Sequence, residues 1–216
     1  GNVYLADYGN HVIYKLDTQG VLTILAGTTK GDKDGASLSA QFNGPTDVAV
    51  DNAGNVYIAD SNNHKIRRVS LLGQVTTIAG TGKPGDYNDS DGKKAQFNGP
   101  TSIAVDRKGN LYIADRYNHR IRKITPSGEV TTLAGGTKGY VDDVGGKAQF
   151  GQVTGVVMDS KDNLYVADYS NHRIRRVDPT GKVTTLAGGI AGFRDGDGRL
   201  ALFNAPWGVA IDKDDN

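Results

Sequence analysis

The stretch Gly54–Asp60 (Gly-Asn-Val-Tyr-Ile-Ala-Asp) occurs four times in this chain, almost unchanged. Its copies begin at residues 1, 54, 109 and 162, so they lie 53, 55 and 53 residues apart. Self-similarity at such a period marks a repeat architecture, in which one supersecondary unit cannot bury its own apolar face and stacks on copies of itself. The same regularity constrains function. A residue present in every copy serves the unit, so the informative variation is where the copies differ.

The repeats run through all 216 residues without a linker, which predicts one domain, with repeats at about 1–53, 54–108, 109–161 and 162–216. A net charge of +1 gives no global attraction to nucleic acid or anionic membrane. No apolar run reaches the ~18 residues of a membrane helix, so membrane insertion is not expected. The absence of cysteine removes disulfides and thiolate metal sites. Thirty glycines with many Val, Ile, Tyr and Thr residues point to short strands and tight turns.

One copy reads as four strands, A to D. Thr101–Asp106 is an apolar run after Pro100, and Arg107-Lys108-Gly109-Asn110 turns the chain into Leu111–Asp115. His119–Ile124 alternates like a strand with one wet side, and Pro126-Ser127-Gly128 leads to Glu129–Ala134. Four short strands repeated four times predict an all-β fold, a β-propeller of four-stranded antiparallel blades. The innermost strand of each blade should be buried on both faces and the most apolar, and Val48-Ala49-Val50, Ile103-Ala104-Val105, Val156-Val157-Met158 and Val209-Ala210-Ile211 fit that place. The chain starts on strand B (Asn2–Asp7) and finishes on strand A (Trp207–Asp212). Pairing of these two would close the ring without free edges; an open solenoid is the runner-up.

Three linked motifs recur in order. They are the Gly-Asn-(Val/Leu)-Tyr-(Ile/Val)-Ala-Asp strand, the Asn-His-X-Ile-Arg segment (Asn63–Arg67, Asn118–Arg122, Asn171–Arg175), and Phe-Asn-X-Pro-X-Gly-Val-Ala-Ile-Asp at Phe203–Asp212. Together they resemble the NHL-repeat family of β-propellers along the whole chain. The family usually has six blades, so four blades here are either a complete ring or part of a larger one. Two departures stand out: Asn10-His11-Val12-Ile13-Tyr14 lacks the basic residues, and Phe150-Gly151-Gln152-Val153 lacks the proline before strand A.

His11, His64, His119 and His172 share one repeat position, as do Asp7, Asp60, Asp115 and Asp168. Both sets are read as structural, the histidines capping the B–C turn and the aspartates accepting turn N–H groups. Arg67, Arg68, Arg122, Lys123, Arg175 and Arg176 on strand C read as a half-exposed strand pairing across to neighbouring blades. No nucleophile elbow, phosphate loop or zinc motif is present, and Thr46, Ser102, Thr154 and Trp207 near the strand-A starts offer no catalytic set. The resemblance extends to propeller enzymes such as lactonases and a zinc-dependent amidating lyase, whose metal ligands have no counterpart here. The expectation is therefore a non-enzyme without a cofactor, with an axial, metal-dependent hydrolase or lyase as the alternative.

The short A–B and C–D turns fall on one face, and the long D–A segments with the B–C turns on the other. Long loops in a compact repeat suit binding. The binding candidates on that face are Tyr8, Arg116, Tyr117, Tyr140, Tyr169, Phe193 and Arg194. Across the four D–A segments nine acidic residues balance nine basic ones, which argues against nucleic acid as the ligand. A protein or peptide is the expected partner and a glycan the second choice, since Tyr8, Tyr117, Tyr140 and Tyr169 can stack on sugar rings. Some NHL propellers bind RNA. Alternating carboxylates at Asp89, Asp91, Asp195 and Asp197, each pair followed by glycine, form a weak calcium candidate.

Overall fold

The computed structural model describes residues 1–88 and 90–216. Among those residues the only helical pieces are three-residue 3₁₀ turns, and no helix is long and apolar enough to cross a membrane. Four antiparallel sheets form the blades of a β-propeller. The second blade shows the plan: Pro45–Val50 is innermost, followed by Val56–Asp60, Lys65–Val69 and Gln74–Ala79, each paired to the next. The third blade (Pro100–Val105, Leu111–Asp115, Arg120–Ile124, Val130–Gly135) and the fourth (Val153–Met158, Leu164–Asp168, Arg173–Val177, Val183–Gly188) repeat it. In the second blade a two-residue strand from the D–A loop, Gly35–Ala36, adds itself outside Gln74–Ala79.

Alternation on each strand builds the core. In period-2 strands successive side chains face opposite sides, so each blade presents one apolar face to the blade before it and one to the blade after. The core is accordingly three layers between blades. Ile13, Ala26 and Phe42 meet Val56, Ile58, Val69 and Val75 in the first layer. The second layer joins Ile66 and Phe97 to Ile113 and Ile124, and the third joins Ile121 and Phe150 to Val166 and Val177. Burial of the innermost strand varies from blade to blade: Pro100–Val105 is buried at every position but Val105, and Val153–Met158 at its first four. Every residue of Val56–Asp60 and Leu111–Asp115 is buried, whereas Pro45–Val50 is mostly half-buried.

Each innermost strand carries a bulge at Thr46, Thr101 or Thr154, where the register against the second strand shifts. The bulged threonine turns its hydroxyl toward the next blade. Thr46 Oγ1 donates to the Pro100 carbonyl at 3.3 Å, Thr101 to Val153 at 3.2 Å and Thr154 to Pro206 at 3.3 Å.

This ladder decides the fate of the C-terminal segment. Trp207–Asp212 does not pair with Val3–Asp7; the first sheet has three strands, Val3–Asp7, Val12–Leu16 and Leu22–Ala26. Thr154 also donates to the Trp207 carbonyl at 2.8 Å. The segment is thereby held beside the fourth blade, at the next regular step around the axis, and it forms no strand there.

Candidate functional site

The repeated acids and bases are occupied by the fold. Asp60 accepts from the Asn43 N–H at 2.8 Å, from Asn63 Nδ2 at 2.8 Å and from Arg67 Nη1 at 2.9 Å. Asp115 and Asp168 do the same for Asn98, Asn118 and Arg122 and for Gly151, Asn171 and Arg175. Asp7 accepts from the Asn10 N–H and Nδ2 and has no arginine partner among the described residues, because Tyr14 stands where those arginines stand.

Arg67, Arg122 and Arg175 are fully buried, not half-exposed as the alternation suggested. Their register turns them onto the inter-blade face, where the preceding D–A loop wraps them. Arg67 bonds the carbonyls of Lys33 and Gln41 and the Asp34 carboxylate, and stacks 5.2 Å from the Phe42 ring centre. Arg122 takes the Tyr87 carbonyl and Asn88, and Arg175 the Val141 carbonyl and Asp142. The long D–A loops are thus tied down along much of their length.

The histidines sit at left-handed φ between 52° and 61° after the B–C turns. His11, His64 and His172 each accept the backbone N–H at the start of the next strand A (Gly44, Gly99 and Ala205) at 3.0 Å. Burial lowers the pKa of His64, which suits a neutral acceptor. His119 differs: its Nδ1 meets the Gly151 carbonyl at 2.7 Å and must donate.

That difference marks the departure noted at Gly151-Gln152-Val153. Gln152 occupies the place of Gly44 and Gly99, which have φ of 59° and 61°, and it does not share their positive φ. Its side chain instead reaches Arg116, whose Nε and Nη2 donate to Gln152 Oε1 at 3.0 and 2.8 Å. Three rings surround the same guanidinium: Tyr117 at 4.8 Å, Trp207 at 4.9 Å and Tyr169 at 5.8 Å from Arg116 Cζ. Tyr169 and Trp207 meet edge to face at 5.6 Å. Such cation–π contacts and aromatic pairs hold side chains in fixed orientations.

This cluster forms one wall of a cavity of about 440 Å³ at the mouth of the axis. Arg116, Tyr117 and Trp207 line it together with Tyr8, Asn62 and His64. Tyr117 lies against Gly99, where an added Cβ would come within 2.7 Å of the ring, so that glycine makes room for the wall. Below the mouth, the innermost strands line a second cavity of about 400 Å³. There Asp47 accepts from Ser102 Oγ at 2.6 Å and the Ile103 N–H at 3.0 Å. Desolvation in the channel raises its pKa, opposed by these hydrogen bonds.

Of the residues expected on the binding face, Tyr8, Arg116 and Tyr117 line the mouth, and Tyr169 packs against Arg116 and Trp207. Tyr140 does not; it stacks on Arg173 at 4.9 Å, away from the axis. Phe193 and Arg194 lie in the last D–A loop, Phe193 almost wholly exposed and Arg194 bonded to the Leu200 carbonyl. Among the calcium candidates, Asp89 lies outside the described residues. Asp91 accepts from the Lys93 N–H, and Asp195 borders the exposed pocket beside Phe193. The backbone carbonyl of Asp197 accepts from Leu200 and Ala201. No group of three metal-ligating side chains comes together among the described residues.

Sequence reasoning missed Gln152 and Asp47 and set Trp207 aside. Aligning the copies column by column would have found all three: Gln152 replaces glycine, Trp207 replaces Thr46, Thr101 and Thr154, and Asp47 stands where Ser102, Gly155 and Gly208 stand.

Comparison with known proteins gives the same architecture. The NHL-repeat model matches residues 42–68, 97–124 and 150–177. NHL repeat-containing protein 2 of Bos taurus is 31% identical over 97% of this chain, which spans 34% of that protein's length. A solved Bacteroides thetaiotaomicron structural genomics protein of unknown function is 25% identical with a TM-score of 0.72, over 96% of this chain and 50% of its own. A catalytically inactive virginiamycin B lyase from Staphylococcus aureus, solved with quinupristin, shares the fold at 17% identity and a TM-score of 0.59, over 86% of this chain and 51% of its own.

Proposed function

We propose that this chain, which belongs to the NHL-repeat family of β-propellers, is a non-enzymatic recognition module that binds a peptide segment at the mouth of its axis. One observation carries the reading: Arg116 and Trp207, positions at which the copies disagree, line a single cavity together with Tyr8 and Tyr117, and Gln152, a third such position, holds the Arg116 guanidinium. Positions that agree are used up in holding blades together. Aromatic anchors beside an arginine, surrounded by polar groups, have the composition of a binding hot spot, and the short B–C turns that carry Arg116, Tyr117 and Tyr169 leave little ordering entropy to lose.

An axial hydrolase or lyase would have to draw on Asp47 and Ser102, which bond to each other in the channel. The repeated histidine and aspartate positions offer it less, since they are engaged by the backbone and by buried arginines.

The test is capture of peptides from a synthetic array. Tyr8→Ser with Tyr117→Ser should weaken capture at least about ten-fold while the melting temperature stays close to the parent's, because both rings are half exposed. Lys108→Ala with Ser127→Ala, on the opposite face, is the control. Loss of capture in the control with retention in the tyrosine variant would place the site on the wrong face. A parent chain that captures no peptide would defeat the reading.

A further inference from the structure

The guanidinium of Arg116 differs in its partners from those of the fully buried Arg67, Arg122 and Arg175. Arg67, Arg122 and Arg175 each contact at least one carboxylate within 3.0 Å, and Arg120 reaches Asp86 at 3.2 Å. Arg116 is half-buried, walled by three aromatic rings, and has only the neutral amide of Gln152 as a side-chain hydrogen-bond partner among the described residues. That amide takes Nε and Nη2 and leaves Nη1 without a hydrogen bond among the described residues. The cavity itself is lined by no carboxylate.

A partly desolvated cation without a counter-charge is costly, and a guanidinium matches a carboxylate with two parallel N–H donors. Neutral Gln152 fixes the plane of the guanidinium without neutralising it. The rings then offer an apolar surface beside the charge. The arrangement suits a ligand with both features.

We propose that the axial mouth binds a peptide through a carboxylate on Arg116, with an adjacent apolar side chain against Tyr8, Tyr117 and Trp207. This rests on the peptide-recognition reading and narrows it: a peptide bound without regard to its carboxylate would leave that reading standing and remove this one. The carboxylate is either a chain terminus or an Asp or Glu side chain next to an apolar residue. A carboxylate is the shared chemistry of the two.

The chain reports on its own site, because Trp207 is its single tryptophan and forms part of the wall. Titrating the parent protein with N-acetylphenylalanine, while following tryptophan emission, should give a saturable change. N-acetylphenylalanine amide, identical but uncharged, should bind at least about ten-fold more weakly. The dipeptides Phe-Glu-amide and Phe-Gln-amide, both N-acetylated, separate a side-chain carboxylate from a terminal one: preference for the acid within either pair supports the proposal and names the source. Arg116→Gln should abolish the preference of acid over amide, and Arg116→Lys should retain part of it. Equal affinity for acid and amide in both pairs overturns the proposal without reference to any variant, and so does an unchanged preference in a folded Arg116→Gln protein. Tighter binding of glucuronate than of every peptide probe overturns the peptide source in favour of an acidic sugar.

Discussion

Asp47 is the residue whose ionisation the channel disfavours. It is enclosed beside Ser102 and Ile103, with no cation among its hydrogen-bond partners, and desolvation raises its pKa above the ordinary 3.8. A carboxyl whose folded pKa exceeds its unfolded value binds its proton more tightly in the folded state. Its contribution is therefore fully present below the unfolded value and is lost as pH rises through the folded one. Melting temperatures measured across about pH 4 to 7 should show this as a difference between the parent and Asp47→Asn. The parent should lose stability relative to the variant as pH rises. Parallel curves would mean that Asp47 titrates in the channel as it does in water.

At the scale of the element, the buried arginine joins two pieces of chain that are far apart in sequence. Arg122 on the third strand of its blade bonds Asp115 at 3.0 Å, the Gln96 carbonyl at 2.8 Å and the Tyr87 carbonyl at 2.9 Å. Both side chains of the ion pair are fully buried. Viewed as a turn acceptor alone, Asp115 would be worth ~1–3 kcal/mol. Its removal here also strands a buried guanidinium, which raises the cost to ~3–5 kcal/mol. Asp115→Ala should thus lower the melting temperature by roughly 10 °C in a chain of this size. It should also expose the 86–97 loop to limited proteolysis before the rest of the blade, since that loop is what Arg122 holds. A variant that melts with the parent, its loop still protected, would show that the pair contributes little.

For the whole molecule, the two ends of the blade series decide behaviour in solution. On the first blade Val3, Leu5, Leu22 and Ile24 are 42–53% exposed, while their counterparts Val56, Ile58 and Val75 in the second blade are 0–3% exposed. The inner edge of Val3–Asp7 has no strand partner, which adds unpaired backbone groups to an apolar face. At the other end Leu186, Ile190 and Leu200 are exposed as well. The 216-residue chain by itself should therefore associate as its concentration rises, seen as a concentration-dependent sedimentation coefficient. Leu5→Ser with Leu22→Ser should reduce that dependence. A monomer at every concentration, in the parent as in the variant, would argue that these faces are inert.

The sequence by itself determined the blade. Its four-fold recurrence, its period-2 alternation and its turn residues are local facts, and local facts are enough to set strands, their order and the antiparallel register within a unit. They also identified Asp60, Asp115, Asp168 and the histidines as repeat positions, and Tyr8, Arg116, Tyr117 and Tyr169 as variable ones. Three things needed the tertiary structure. Strand alternation tells which residues share a side but not what lies on it, so the burial of Arg67, Arg122 and Arg175 under the D–A loops was not legible. The closure of Trp207–Asp212 onto Val3–Asp7 followed from strand content alone, whereas the hydroxyl ladder of Thr46, Thr101 and Thr154 carries the segment to the next step around the axis. And Arg116, Gln152 and Trp207 stand 36 and 55 residues apart in the chain. Each is visible as an exception to the repeat, but only the turning of successive blades about a common axis brings the exceptions together around one guanidinium.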